Sequence, residues 1–305
     1  MISFKPKQVT KKLLSALSDR ARDVLEKRYG LGKDADTQTL ESIGQTYGIT
    51  RERVRQIENY GIQSIQKSDV YLEFEDIFEE LKQVIESLGG GLIAEQVLLD
   101  EITNDQSLRN HIYFLLVIGN PFYRSKENAN YGHRWFTEKK IAESVEKALR
   151  TVYKSLNRDE LVSEEEILGR FRNELIAIAD KQDETVLKRW LQISKDIAAN
   201  PLGEWGDAQS PNVRVKGIRD YAYLVVKRHG SPMHFREVAE EIQKLFERKA
   251  HTATTHNELI KDERFVLVGR GLYALTEWGY SAGVVKDVLR EVLEKNGPLS
   301  REEII

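Results

Sequence analysis

Thr39-Leu-Glu-Ser-Ile-Gly-Gln-Thr-Tyr-Gly-Ile-Thr-Arg-Glu-Arg-Val-Arg-Gln-Ile-Glu58 predicts two helices and the bend between them. Thr39 starts a short helix with Leu40 and Ile43 facing inward, and Gly48 breaks it with a tight turn. Thr50 then caps a longer helix with Val54, Ile57 and Ile65 on its buried side. Two helices joined by a short glycine-containing turn form a helix-turn-helix. Just upstream, Leu17-Ser-Asp-Arg-Ala-Arg-Asp-Val-Leu-Glu-Lys-Arg-Tyr-Gly-Leu31 reads as a further helix, capped by Ser18 and ended by Gly30.

The outer face of the second helix carries the chemistry. Arg51, Glu52, Arg55 and Gln56 lie in its first two turns, the turns that helix-turn-helix proteins aim at base edges in the major groove. Arginine pairs bidentately with guanine and glutamine with adenine, and glutamate accepts from cytosine N4, each pairing worth ~1–3 kcal/mol of discrimination. Arg53, Thr50 and Thr39 sit nearer the backbone and suit phosphates. Arg51, Arg53 and Arg55 crowd the positive end of the helix dipole, where a helix with only structural duties would carry acids.

Residues 13–65 closely resemble region four of primary bacterial sigma factors, above all in the run from Thr50 to Glu58. The resemblance implies that the helix reads a minus-thirty-five promoter element, with Arg51, Glu52, Arg55 and Gln56 on bases and Thr50 and Arg53 on the backbone. It also implies docking on the β flap of RNA polymerase through an exposed apolar face of 13–65. Only twelve residues precede Leu13, so the sigma regions that melt promoters are expected to be absent.

Downstream, one pattern recurs four times: Gly91-Leu-Ile-Ala-Glu-Gln-Val97, Leu161-Val-Ser-Glu-Glu-Glu-Ile167, Pro232-Met-His-Phe-Arg-Glu-Val238 and Pro298-Leu-Ser-Arg-Glu-Glu-Ile304. The spacings are 70, 71 and 66 residues. Ser163 with Glu166 and Ser300 with Glu303 read as capping boxes, and His234 with Glu237 as a weaker one, whereas Ile93 cannot cap. Amphipathic helices over 78–88, 141–156, 218–228 and 284–294 precede these starts; third helices over 108–118, 186–198 and 254–262 follow. Hairpins are then expected at 122–136 and 264–275, and less clearly at 201–215. Three helices and a hairpin make a winged helix.

The third copy resembles the HARE-type winged helix, found also in the δ subunit of RNA polymerase. Gly230-Ser-Pro-Met-His-Phe-Arg-Glu-Val238, Asn257-Glu-Leu-Ile-Lys-Asp-Glu-Arg-Phe265, Gly269-Arg-Gly-Leu-Tyr-Ala-Leu275 and Trp278 carry the likeness. Arg236, Arg264 and Arg270 are its candidate phosphate contacts, with partner-protein binding an equal alternative.

The 305 residues therefore divide into a helix-turn-helix domain at 1–68, winged-helix-like units at 69–138 and 139–215, a HARE-type unit at 216–281 and the start of another at 282–305. The fold class is mostly α, with small β-hairpin wings. The last copy stops inside its second helix, which suggests a fragment. Charge follows the same partition: residues 1–67 carry 13 Lys+Arg against 8 Asp+Glu, residues 68–213 carry 17 against 27, and residues 214–280 carry 12 against 9. Basic ends and an acidic body suggest polyanion binding confined to the ends.

Other chemistries find little support. The absence of cysteine excludes thiolate metal sites, disulfides and Cys nucleophiles. His111, His133, His229, His234, His251 and His256 show no metal-binding spacing and read as surface or capping residues, and Gly89–Gly91 lacks the lysine of a phosphate-binding loop. Trp135, Trp190, Trp205 and Trp278 read as core anchors. No catalytic residue, metal, cofactor, small-molecule substrate or membrane contact is expected. The sequence predicts a cytoplasmic, nucleoid-associated transcription factor that binds promoter DNA, with RNA polymerase as partner. The alternatives are a δ-like polymerase accessory protein and a repressor that acts without polymerase.

Overall fold

The computed structural model describes residues 2–175, 178 and 182–280. The expected partial unit at 282–305, with its Ser300–Glu303 capping box, lies outside the described residues. The first elements are α1 (Pro6–Leu14), α2 (Asp19–Tyr29), α3 (Leu40–Tyr47), α4 (Arg51–Gln66) and the one-turn α5 (Asp69–Leu72). Thr39 Oγ1 accepts the Ser42 N–H at 3.1 Å and Thr50 Oγ1 the Arg53 N–H at 3.2 Å, so both threonines satisfy orphan donors at helix starts. Ser18 occupies the cap position of α2, but its side chain makes no capping hydrogen bond. Gly48 ends α3 in the left-handed region, φ 63°. Gly44 is required for a different reason: a Cβ there would stand 2.6 Å from the Ile49 carbonyl oxygen. Val24, Ile43 and Val54 are fully buried where α2, α3 and α4 meet, with Leu40, Tyr47, Ile49 and Ile57 around them.

Three winged helices follow with one element order. The first runs α6 (Glu75–Gly89), β1 (Leu92–Ala94), α7 (Glu95–Ile102), α8 (Gln106–Ile118), β2 (Tyr123–Ser125) and β3 (Arg134–Phe136), and its antiparallel sheet has the order β1-β3-β2. The second has α9 (Lys139–Ser155), α10 (Glu164–Glu174), α11 (Glu184–Leu191), β4 (Ile197–Ala199) and β5 (Trp205–Asp207). A bridge between Val162 and Trp205 stands where β1 meets β3 in the first copy. The third has α12 (Ile218–His229), β6 (Met233–His234), α13 (Phe235–Phe246), α14 (Thr252–Lys261), β7 (Phe265–Gly269) and β8 (Leu272–Leu275), in the sheet order β6-β8-β7. The Ser163 hydroxyl accepts the Glu166 N–H at 3.1 Å, and His234 and Glu237 make a capping box. One expectation fails: the helix predicted over 186–198 ends at Leu191, because Ile197–Ala199 pairs with Trp205–Asp207 to form the second wing.

The chain divides into two compact units: Met1–Ser155 with Leu168–Asp196, and Leu156–Ile167 with Ile197 onward. α9 and α11 thus belong to the first unit, and β4 and β5 to the second. In the first unit Leu13, Leu14, Leu17, Leu25 and Ile65 share one core with Phe78, Leu81, Ile112, Phe114 and Leu116. Polar bonds fix the same packing. Asn110 of α8 donates to the carbonyls of Gly30 and Ala35 at 3.0 and 2.8 Å, and Trp190 of α11 donates to those of Gly89 and Leu92 at 2.8 and 3.0 Å. The second unit centres on Tyr223, Leu224, Val226, Val238, Ile242, Tyr273 and Leu275.

Candidate nucleic-acid interface

Arg51, Glu52, Arg53, Arg55 and Gln56 are all exposed at the start of α4. Val54, buried between them, fixes which way that face points. Exposed Thr39 and Thr50 flank it at the heads of α3 and α4. The structure thus gathers the seven residues that the sequence nominates into one helix-turn-helix.

The groups are already paired with one another. The Arg55 guanidinium grips Glu52 with two hydrogen bonds, from Nε at 2.9 Å and from Nη2 at 2.7 Å. Arg53 Nη1 donates to Gln56 Oε1 at 2.9 Å. The hydrogen bond from Arg55 holds the Glu52 carboxyl below the usual range and raises the guanidinium in turn, so both stay ionised at neutral pH. Exposed pairs of this kind contribute little in water, less than a good base contact does. The face can therefore exchange its internal bonds for base edges.

Two further residues of α4 stand out in the structure, and sequence reasoning singled out neither. Glu58 is buried on the inner side of α4, where it accepts from the Tyr29 hydroxyl at 2.9 Å and ion-pairs with Arg28 at 3.4 Å. It ties the reading helix to α2. Burial, then the Glu58 charge, pushes the Tyr29 phenol up, so it remains a donor. The available signal was an acid within the apolar stripe of Val54, Gly61 and Ile65. Tyr60 is 66% exposed one turn beyond Gln56, and an aromatic off the apolar stripe was its signal.

The secondary set does not act as one. Arg236 and Arg270 are exposed. Arg264, expected on phosphate, is committed elsewhere: its guanidinium binds Asp262 at 2.6 Å, Asp220 at 2.9 Å and Asn212 at 3.1 Å, over the Tyr223 ring. In the same winged helix, Ile260, Leu267 and Leu272 are exposed.

Leu13, Leu14, Leu17, Ala21 and Leu25 are buried in the core shared with α6 and α8, so they do not form the exposed apolar face expected on 13–65. His111, expected at the surface or in a cap, is buried on α8, while His234 caps α13 as expected. Trp135, Trp190 and Trp205 are core residues. Among the described residues no group of His, Asp and Glu could hold a metal ion, and no helix is long and apolar enough to cross a membrane.

Comparison with known proteins agrees with this geometry. Residues 13–67 match the family Sigma-70, region 4, and residues 218–278 match HARE-HTH, the HTH domain named for ASXL and restriction endonuclease proteins among others. The chain is 60% identical over 47 residues to RNA polymerase sigma factor SigA of Nostoc sp., covering 15% of this chain and 12% of that protein. It is 61% identical over 46 residues to SigA1 of Synechococcus elongatus, covering 15% and 11%. It is 37% identical over 73 residues to SigA of Listeria monocytogenes, covering 24% and 19%. The chain therefore spans less than a fifth of the length of these relatives. No solved structure matches it. The two family matches, seated on the helix-turn-helix and on the third winged helix, point to a DNA-binding, RNA polymerase-related protein.

Proposed function

We propose that the chain is a sequence-specific duplex-DNA-binding transcription factor that reads a promoter element with α4 and works with RNA polymerase. The observation that carries this reading is the exposed start of α4, where three arginines and a glutamine stand at the positive end of a helix fixed by Thr50, Val54 and Glu58. Arg51, Glu52, Arg55 and Gln56 face bases; Thr39, Thr50 and Arg53 face phosphates, and Tyr60 extends the contact. The protein binds and positions rather than catalyses, and DNA binding places it at the nucleoid. Polymerase contact, including contact with the β flap, uses surface other than the buried leucines of 13–65. Selection of bound duplexes from a random pool, with and without purified polymerase, tests the reading. One enriched element that Arg55→Ala fails to enrich is expected; a pool with no enrichment in either arm refutes it.

A second reading holds for the third winged helix. Arg264 is committed and Ile260, Leu267 and Leu272 are exposed, which favours a protein partner there, in the manner of a polymerase accessory subunit. Polymerase binding that Ile260→Ser with Leu267→Ser abolishes, with duplex binding intact, is the expected result. Polymerase binding left intact by that double variant refutes it.

A further inference from the structure

Away from α4, the first unit holds a cavity of about 750 Å³ bounded by α1, α2, the turn after α2 and α8. None of the DNA-facing residues lines it. Among its lining residues Lys7, Lys11, Arg22 and Lys33 stand against one acid, Glu26; outside the lining, Asp19 pairs with Arg22 at 3.6 Å and Asp105 acts by charge on Lys7 and His111. Arg22 is fixed in the wall, donating to the carbonyls of Leu14 and Leu17 at 3.2 Å each. The three lysines are exposed, and among the described residues none of them makes an ion pair.

Two buried polar side chains share this lining. Thr10 and His111 line the same cavity with 0% and 5% of their surface exposed, and both Thr10 Oγ1 and His111 Nδ1 are buried without a hydrogen-bond partner. Buried polar atoms are nearly always satisfied, because an unmet one loses its water without compensation. Two in one cavity, on different helices and in one lining with unpaired cations, are what an anion with several acceptor oxygens would satisfy. Burial, then the Lys7 charge, lowers the His111 pKa against the opposing charge of Asp105, so the ring is neutral at pH 7. The space is also larger than a lone phosphate needs, is of the size that ligand pockets have, and includes apolar wall from Leu14 and Leu31.

We propose that this cavity binds a phosphate-bearing small molecule of the nucleotide class. Its phosphoryl oxygens accept from Thr10 and His111, Lys7, Lys11 and Lys33 neutralise its charge, and its base lies against Leu14 and Leu31. A duplex backbone carries the same phosphate chemistry, so the test separates the two sources. Isothermal titration of the full chain uses ATP, GTP, pyrophosphate and adenosine as probes. ATP or GTP should bind at least about tenfold more tightly than adenosine. Lys7→Gln with Lys33→Gln should weaken that binding about tenfold or more. Thr10→Val, close to isosteric, should weaken it as well, and circular dichroism checks its fold. A saturating duplex should not compete. No heat from any phosphate probe at about 1 mM, equal binding of adenosine, indifference to the lysine substitutions, or displacement by the duplex each overturns the proposal. The lysine substitutions lie at exposed positions, so they decide the matter even if Thr10→Val disturbs the core.

Discussion

Replacing Arg55 by alanine separates a reading helix from a merely charged one. In the free protein the change removes two hydrogen bonds to Glu52, at 2.7 and 2.9 Å, both between side chains more than half exposed. A pair this exposed contributes little to folding, so unfolding midpoints should scarcely move. In the complex the change removes a bidentate contact with a base edge, worth about 1–3 kcal/mol, or about 5- to 150-fold in Kd. The lower half of that range is the better expectation, since Glu52 already holds Nε and Nη2 and the guanidinium must leave it to grip a guanine. Glu52→Gln, which weakens that hold, should move affinity less than Arg55→Ala does. Fluorescence anisotropy against the selected duplex and all its single base-pair variants, at one salt concentration, measures both. The signature of reading is a loss of preference at one base pair. A uniform loss across all duplexes, or none, would refute the assignment of Arg55 to a base.

Gly44→Ala should destabilise the helix-turn-helix by about 1–3 kcal/mol in urea titrations, because the new methyl meets the Ile49 carbonyl at 2.6 Å and the Ile49 N–H is itself bonded to Gly44. Arg264→Met removes the cation at 2.6 Å from Asp262 and 2.9 Å from Asp220, leaving among the described residues only Arg219, at 4.0 Å from Asp220, and should lower stability by about 3 kcal/mol, with duplex binding unchanged. Burial raises the Asp262 pKa, but hydrogen bonds from Arg264 outweigh this and hold it below the usual range. Its contribution is therefore complete above the unfolded carboxylate pKa and is lost as pH falls through the lower folded value, a dependence that Arg264→Met should flatten. His111 runs the other way from a paired histidine. Its folded pKa lies below the ordinary 6.5 through burial and the Lys7 charge, so below pH 6.5 the unfolded chain takes up a proton that the native state resists. Urea midpoints should fall between pH 7.5 and pH 5.5 by more than in His111→Gln.

The reading helix was legible because its signals are local. Thr39 and Thr50 cap, Gly48 turns, and the apolar period of Val54, Ile57 and Ile65 leaves one face for Arg51, Arg55 and Gln56. The winged helices were legible for the same reason, through a start pattern repeated at near-constant spacing. What stayed hidden depends on distant partners. Nothing near Arg264 in sequence announces Asp220, 44 positions away, as the acid that would engage it. Ile197-Ala-Ala199 carries no strong strand preference and becomes a strand by pairing with Trp205–Asp207. Leu13, Leu14 and Leu17 look the same in sequence whether a partner protein or α8 covers them, and here the chain's own helices do. The buried Thr10 and His111 became a site only when α1 and α8 were brought side by side.

The charge partition bears on how this helix finds its target. Residues 1–67 carry a net excess of five cations, whereas 68–213 carry an excess of ten acids. Part of that acidic stretch folds into the same compact unit as α4, so general attraction to DNA is weak and the helix tip must supply most of the phosphate contact. Arg53, the arginine there that faces phosphate, gives a log–log salt slope of about −1, shallow for a free-standing regulator. Arg53→Ala should reduce that slope by about 1 and weaken all duplexes alike, in contrast to Arg55→Ala. A protein with so little non-specific affinity gains occupancy mainly when a second contact raises its local concentration, which is the part we assign to polymerase. Gel shifts across salt concentrations decide it. A slope of about −6 or steeper would place basic surface elsewhere on the chain, and the argument for a tethering partner would fall with it.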